Sequence, residues 1–165
     1  MNSNSFFRAP SEWVRHVITV LEARLNLSIE SSYHRESSEP TGTTICYHVG
    51  ESSQLNHTAN DGRKLHEIEL NFLVYVPLAV PDFDLEALDA STRLERELLH
   101  ENWGQSENTG ESRVVSNLPR KFAPDLGVFL RTVTMKQRIY MGPVGSDHLM
   151  LVESERNDSA TDPAA

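Results

Sequence analysis

The stretch Leu65-His66-Glu67-Ile68-Glu69-Leu70-Asn71-Phe72-Leu73-Val74-Tyr75-Val76-Pro77 decides the fold class. Its even positions carry Ile68, Leu70, Phe72, Val74 and Val76, and its odd positions carry Glu67, Glu69 and Asn71 before turning apolar at Leu73 and Tyr75. Side chains on an extended chain alternate between faces, so this period of two predicts a strand with one face in the core and its acids on a solvated face. A helical stretch over residues 82–103 follows at once. Ala87, Ala90 or Ser91, Leu94 and Leu98 form its stripe, Leu85, Leu88 and Leu99 widen it, and Arg93, Glu95, Arg96 and Glu97 face out. Asp82 or Asp84 can cap its start, and Asp84, Glu86 and Asp89 suit the positive end of the helix dipole. Gly104 is placed to end it, and Trp103 to anchor that end in the core.

Working outward, residues 1–9 read as a flexible polar arm whose Phe6 and Phe7 cover an edge of the core or, as the alternative, dock on a neighbouring subunit. Ser11 is a good N-cap, and Val14, Val17, Ile18, Leu21 and Leu25 then recur at helical spacing. Residues 27–35 alternate loosely and predict a strand. Residues 43–49 are β-branched and aromatic and predict another, antiparallel to the strand that opened this section. Residues 50–62 are polar, contain Asn60-Asp61-Gly62 and read as an exposed loop. Residues 113–116 suggest a short strand. Residues 117–125, with Pro119, Arg120, Lys121 and Pro124, read as irregular and locally basic. A second long strand is predicted over residues 128–141, broken by Gly142-Pro143. Residues 148–152 suggest a last short strand, and the acidic residues 153–165 a disordered tail. The expectation is one α+β domain over residues 10–152: a mixed, mainly antiparallel sheet with two main helices packed on one face.

The sequence has 165 residues, enough for such a domain to bury a core without metal or disulfide. A net charge of −9 argues against holding nucleic-acid phosphates by counterion release. The single cysteine, Cys46, rules out an internal disulfide and reads as a buried structural thiol between Ile45 and Tyr47. No stretch reaches signal-peptide character or the roughly 20 apolar residues of a membrane span, so the expected compartment is the cytosol.

Chemistry-bearing patterns are sparse. The glycines form no phosphate-binding loop, and one cysteine excludes cysteine-rich zinc sites. The seven histidines fall at 16, 34, 48, 57, 66, 100 and 148, without an HxH or HxxxH pair. Alternation sets His66 with the apolar face and Glu67 on the opposite one, which argues against a metal site with His48. Asp61, Lys64, Glu67 and Glu69 stand at a loop-to-strand junction, where nucleases place metal-binding carboxylates. Lys64, however, precedes both glutamates, and acids at i and i+2 are also what a solvated strand face carries. No catalytic residue, metal ligand or cofactor site is assigned.

The order of parts is an amphipathic first helix, long strands, a central acidic helix ending Trp103-Gly104, a Pro-rich segment, and a closing strand Gln137-Arg138-Ile139-Tyr140-Met141-Gly142. Over roughly residues 10–142 this pattern resembles the tail terminator and tail completion proteins of long-tailed bacteriophages. The resemblance implies a non-enzymatic virion protein assembled in the host cytoplasm. It implies a homo-oligomeric ring, commonly a hexamer, that caps the tail tube, ends its polymerisation and offers a surface for joining the head. Its partners would be further copies of itself, the tail tube protein and a head-tail connector or neck protein, with DNA passing without specific binding and no membrane involved. An acidic wall would suit that passage. A ring needs two different patches that meet head to tail. The candidates are the edges of the sheet, Glu67, Glu69 and Asn71 on the strand face, residues 50–62, and residues 117–125, whose Arg120 and Lys121 could pair with acids of a neighbour. The alternatives are another phage neck or tail tube subunit, and a metal-dependent nuclease or hydrolase using Asp61, Glu67 and Glu69.

Overall fold

The computed structural model describes residues 7–35, 40–99, 103–104 and 110–142. Its strands are β1 (Ile29–Ser31), β2 (Thr44–Thr58), β3 (Lys64–Pro77), β4 (Arg113–Ala123) and β5 (Val128–Met141), and its helices are α1 (Pro10–Leu25) and α2 (Phe83–Leu98). A single 3₁₀ turn, Pro124–Leu126, joins β4 to β5. The sheet order is β1-β2-β3-β5-β4, so β3 is the central strand. β1 runs parallel to β2, and the other neighbours are antiparallel. The class is α+β.

The alternation in β3 places its side chains as expected. Ile68, Leu70, Phe72, Val74 and Val76 are fully buried, and Val133, Met135, Ile139 and Met141 of β5 join them on the same face. α1 covers that face with Trp13, Val14, Val17, Ile18, Leu21 and Leu25; α2 covers it with Ala87, Ser91, Leu94 and Leu98. Each fully buried Val, Leu, Ile or Phe is worth about 1.5–3 kcal/mol, so this one layer supplies most of the driving force. β3 and β5 pair without interruption from Lys64 opposite Met141 to Pro77 opposite Val128. Phe7 packs against the core and Ala9 is buried; Phe6 lies outside the described residues.

Several local expectations are corrected. Residues 50–58 are strand: β2 continues to Thr58, and only residues 59–63 form the turn to β3. This half of β2 is polar on both faces, so no hydrophobic period announced it; it is extended because β3 offers a ladder to pair with. Residues 117–123 are likewise strand. Pro119 is tolerated because β4 is an edge strand, where a missing N–H leaves no ladder bond unmade. The strand predicted over residues 27–35 shrinks to Ile29–Ser31. α1 starts at Pro10 with Ala9 as its cap residue, so Ser11 already lies inside the helix.

α2 also differs at both ends. Asp82 is its cap residue, in the left-handed region at φ 52°, and makes no side-chain cap. Leu85, Leu88 and Leu99, expected to widen the buried stripe, are exposed. The helix ends at Leu98, five residues before Trp103. Its final carbonyl accepts a hydrogen bond from the buried Ser112 hydroxyl, so Gly104 plays no capping part. Trp103 is buried beneath the Arg24 guanidinium, 5.1 Å from its ring. The short strand suggested at residues 148–152 and the tail at 153–165 lie outside the described residues.

Candidate assembly surface

The sheet face away from the helices carries a ladder of paired polar side chains. Register sets Glu67 opposite Arg138, Glu69 opposite Lys136 and Asn71 opposite Thr134, and opposite charges across a strand pair attract. Glu67 Oε2 lies 3.2 Å from Arg138 Nε and 3.2 Å from Arg113 Nη2 of β4. Glu69 Oε2 lies 3.4 Å from Lys136 Nζ, which is also 3.8 Å from Glu51 Oε2. Asn71 Nδ2 donates to Glu69 Oε1 at 2.9 Å, and Thr134 Oγ1 donates to Asn71 Oδ1 at 2.7 Å. Two groups result: Glu67 joins β3 to β5 and β4, and Glu69 with Lys136 joins β3 to β5 and β2. Glu67 and Glu69 are half-buried under their cations and Asn71 is buried, which departs from the solvated face the alternation suggested.

Gly50 makes the crossing to β2 possible. It sits where the β2–β3 register shifts, between Val49 and Ser52. A Cβ there would stand 2.3 Å from Glu69 Oε1 and 2.6 Å from Asn71 Nδ2. The carboxylate and the amide lie over the space a side chain would fill. No sequence motif marks this role.

Arg120 and Lys121 are exposed on β4, but they are not part of this network. Lys121 is opposite Leu130 and Glu67 is opposite Arg138. Eight residues along β5 separate the two groups by about 26 Å. The five candidate residues thus form two patches, one on the sheet face and one on the sheet edge.

That edge has its own character. Val115, Leu118 and Phe122 are 52%, 47% and 59% exposed along β4, and the Phe122 ring stacks on Phe83 at the start of α2. The hairpin from Arg113 to Met141 holds six basic side chains (Arg113, Arg120, Lys121, Arg131, Lys136 and Arg138) against the single acid Asp125. In a chain of net charge −9 this makes one flank of the sheet basic and the remainder strongly acidic. Arg131 ties the flank to α2: it donates to Asn117 Oδ1 at 2.8 Å, and Asn117 donates to the Ser91 hydroxyl at 3.0 Å.

The carboxylates of the nuclease reading each face a cation. Asp61 lies 2.6 Å from Arg63 Nε, and hydrogen bonds from Arg63, the backbone N–H foremost, hold its carboxyl below the usual range. Lys64 Nζ donates to Thr58 Oγ1 instead of approaching the glutamates. Among the described residues no three His, Cys, Asp or Glu side chains converge as metal ligands. His66 faces the helix side, where desolvation lowers its pKa. Burial pushes the Cys46 thiol up, with Arg35 opposing and Glu30 adding to the shift. No described helix is long and apolar enough to cross a membrane.

No family model and no curated protein matches this sequence. The fold does recur among solved structures. A chain of the structure described as "Virion of native gene transfer agent (GTA) particle" superposes with a TM-score of 0.50 at 12% sequence identity, covering 79% of this chain and 90% of that chain. At that identity the likeness is one of fold.

Proposed function

We propose that this chain is a structural subunit of a phage-like virion, which forms a ring on the end of the tail tube, ends its polymerisation and presents a surface for head joining. The observation that carries the reading is the fold shared, over most of both chains, with a protein of a gene transfer agent virion. Two separated patches of different character support the self-assembly part, since a closed ring requires a heterologous contact. In this reading Glu67, Glu69 and Asn71 meet a neighbouring subunit. Their charges are already balanced by Arg113, Lys136 and Arg138, so that face suits a protein contact better than an acidic wall facing DNA. The partners are further copies, with six as the expected number, the tail tube protein and a head-tail connector. The protein acts without catalysis or cofactor.

Electron microscopy of the purified protein, alone and mixed with tail tubes, tests this. Short closed rings that sit on tube ends and stop their growth are the expected result. Long filaments would transfer the protein to the tube itself, and particles that never leave the monomeric state would refute the reading.

A further inference from the structure

β4 ends the sheet, and its outer ladder of N–H and C=O groups meets no strand among the described residues. Natural edge strands are usually shortened, charged, or covered by a helix or loop, because an open ladder recruits other chains. This edge is eleven residues long. Val115, Leu118 and Phe122 are exposed along it, and Arg120 and Lys121 stand beside Phe122. Val115 and Arg120 fall at the two register shifts, so neither has a partner on β5.

α2 carries the complementary set. Leu85, Leu88 and Leu99 are open to solvent on its outward side. At about 100° per residue, these three lie within about 60° of one another around the helix and form one apolar stripe. Asp82, Asp84, Glu86 and Asp89 are exposed around its first half, with no base between them. Acids at a helix start suit the dipole, but the dipole gives no reason for the leucines beside them to face solvent. Among the described residues no ion pair engages Asp82, Asp84, Asp89, Arg120 or Lys121, whereas Glu67 and Glu69 already hold Arg113, Arg138 and Lys136.

We infer that α2 of a second copy lies along β4 and covers the open edge. The lengths agree: Val115 to Phe122 covers about 23 Å of strand, and Leu85 to Leu99 about 21 Å of helix. With α2 antiparallel to β4, Leu99 meets Val115, Leu85 and Leu88 meet Phe122, and the acids of the first turns meet Arg120 and Lys121. Complementary charge then fixes both the direction and the partner. Within one chain this contact does not form, because Ala87, Ser91, Leu94 and Leu98 hold α2 on the inner face of the sheet with its leucine stripe turned away. The two surfaces differ, so each copy offers both and the contact repeats head to tail.

The inference rests on the ring reading above and names what covers this edge. Light scattering coupled to size exclusion, over a concentration series, tests it on full chains. The wild type is expected to exceed its 18.6 kDa chain mass. Arg120→Glu with Lys121→Glu, and separately Asp84→Lys with Asp89→Lys, should each raise the association midpoint roughly tenfold or more, because like charges then face each other. Mixing the two variants should restore assembly, since every contact between unlike copies again joins acids to bases. Leu88→Gln with Leu99→Gln leaves the charges of α2 in place and should weaken association similarly, which keeps the test decisive if the charge reversal unfolds the helix. Unchanged association in folded α2 variants overturns this inference, assigns the edge to another occupant and leaves the ring reading standing. Failure of two folded charge variants to complement overturns the pairing. Complementation that yields only dimers upholds the contact and overturns the ring. A wild type that stays monomeric at every concentration overturns both proposals.

Discussion

Replacing Gly50 by alanine tests whether the sheet-face network is a coupled unit. The new Cβ would lie 2.3 Å from Glu69 Oε1 and 2.6 Å from Asn71 Nδ2, so one or both groups must move. Moving them breaks the Asn71–Glu69 hydrogen bond and loosens the Glu69–Lys136 pair. A hydrogen bond to a charged group contributes about 1.5–3 kcal/mol, reduced here to about 1–1.5 because Glu69 remains partly wet. The ion pair adds about 0.2–1 kcal/mol. Opposing this, alanine lowers the entropy of the unfolded chain and stabilises by about 0.4–1 kcal/mol where the backbone tolerates it. Gly50 is not among the positive-φ glycines, so no backbone strain enters. The net expectation is a loss of about 1 kcal/mol, or roughly 2–4 °C in Tm for a chain of this size. The informative measurement is urea unfolding of Gly50→Ala in two backgrounds. In wild type the substitution should destabilise; in a Glu69→Ala, Asn71→Ala background it should become neutral or stabilising by up to about 1 kcal/mol. An equal cost in both backgrounds would refute the claim that the glycine serves those two side chains.

Two further perturbations probe the other face. Gln137 is buried, accepts from the buried Trp13 Nε1 at 3.2 Å and donates to the carbonyl of the exposed Gly110 at 2.6 Å, so Gln137→Leu strands one buried donor. Denaturant unfolding should show a loss of about 1–3 kcal/mol, and a loss under about 0.5 would contradict the pairing. For His66, desolvation lowers the folded pKa below 6.5, so the folded state resists protonation. The stability it contributes is complete above pH 6.5 and is lost as pH falls through the folded pKa. Thermal melts between pH 7.5 and 5 should therefore show a steeper acid-side decline in wild type than in His66→Gln, and identical slopes would count against the burial effect.

Where hydrophobic period and burial coincide, the chain is legible. The even residues of β3 and the stripe of α1 follow from side-chain spacing alone, because one buried face forces one pattern, and the end of β5 follows from Gly142-Pro143. The same spacing extends the α1 stripe back to Trp13, four residues before Val17. What could not be read depends on partners distant in sequence. Residues 50–58 and 117–123 are strands only because β3 and β5 lie beside them, and their own polarity and proline point elsewhere. The end of α2 depends on Ser112, fourteen residues beyond Leu98, which no local capping rule anticipates. The same holds for the candidate surface. Glu67, Glu69 and Asn71 were legible as one face, but their half-burial required the register with Lys136 and Arg138. That Arg120 and Lys121 belong to a sheet edge required knowing β4 to be a strand.

The uninterrupted β3–β5 pairing has a kinetic consequence. β2 with β3, and β4 with β5, are hairpins that close short turns, whereas β3 with β5 joins partners as distant as Lys64 and Met141 across all of α2. Loop-closure entropy must be overcome before those non-local contacts reward the chain, so this seam forms late and slowly relative to either hairpin. Until it forms, each hairpin presents a long strand with an open ladder and an apolar face. The best-paired seam of the finished sheet is thus the most aggregation-exposed edge of the newly made chain.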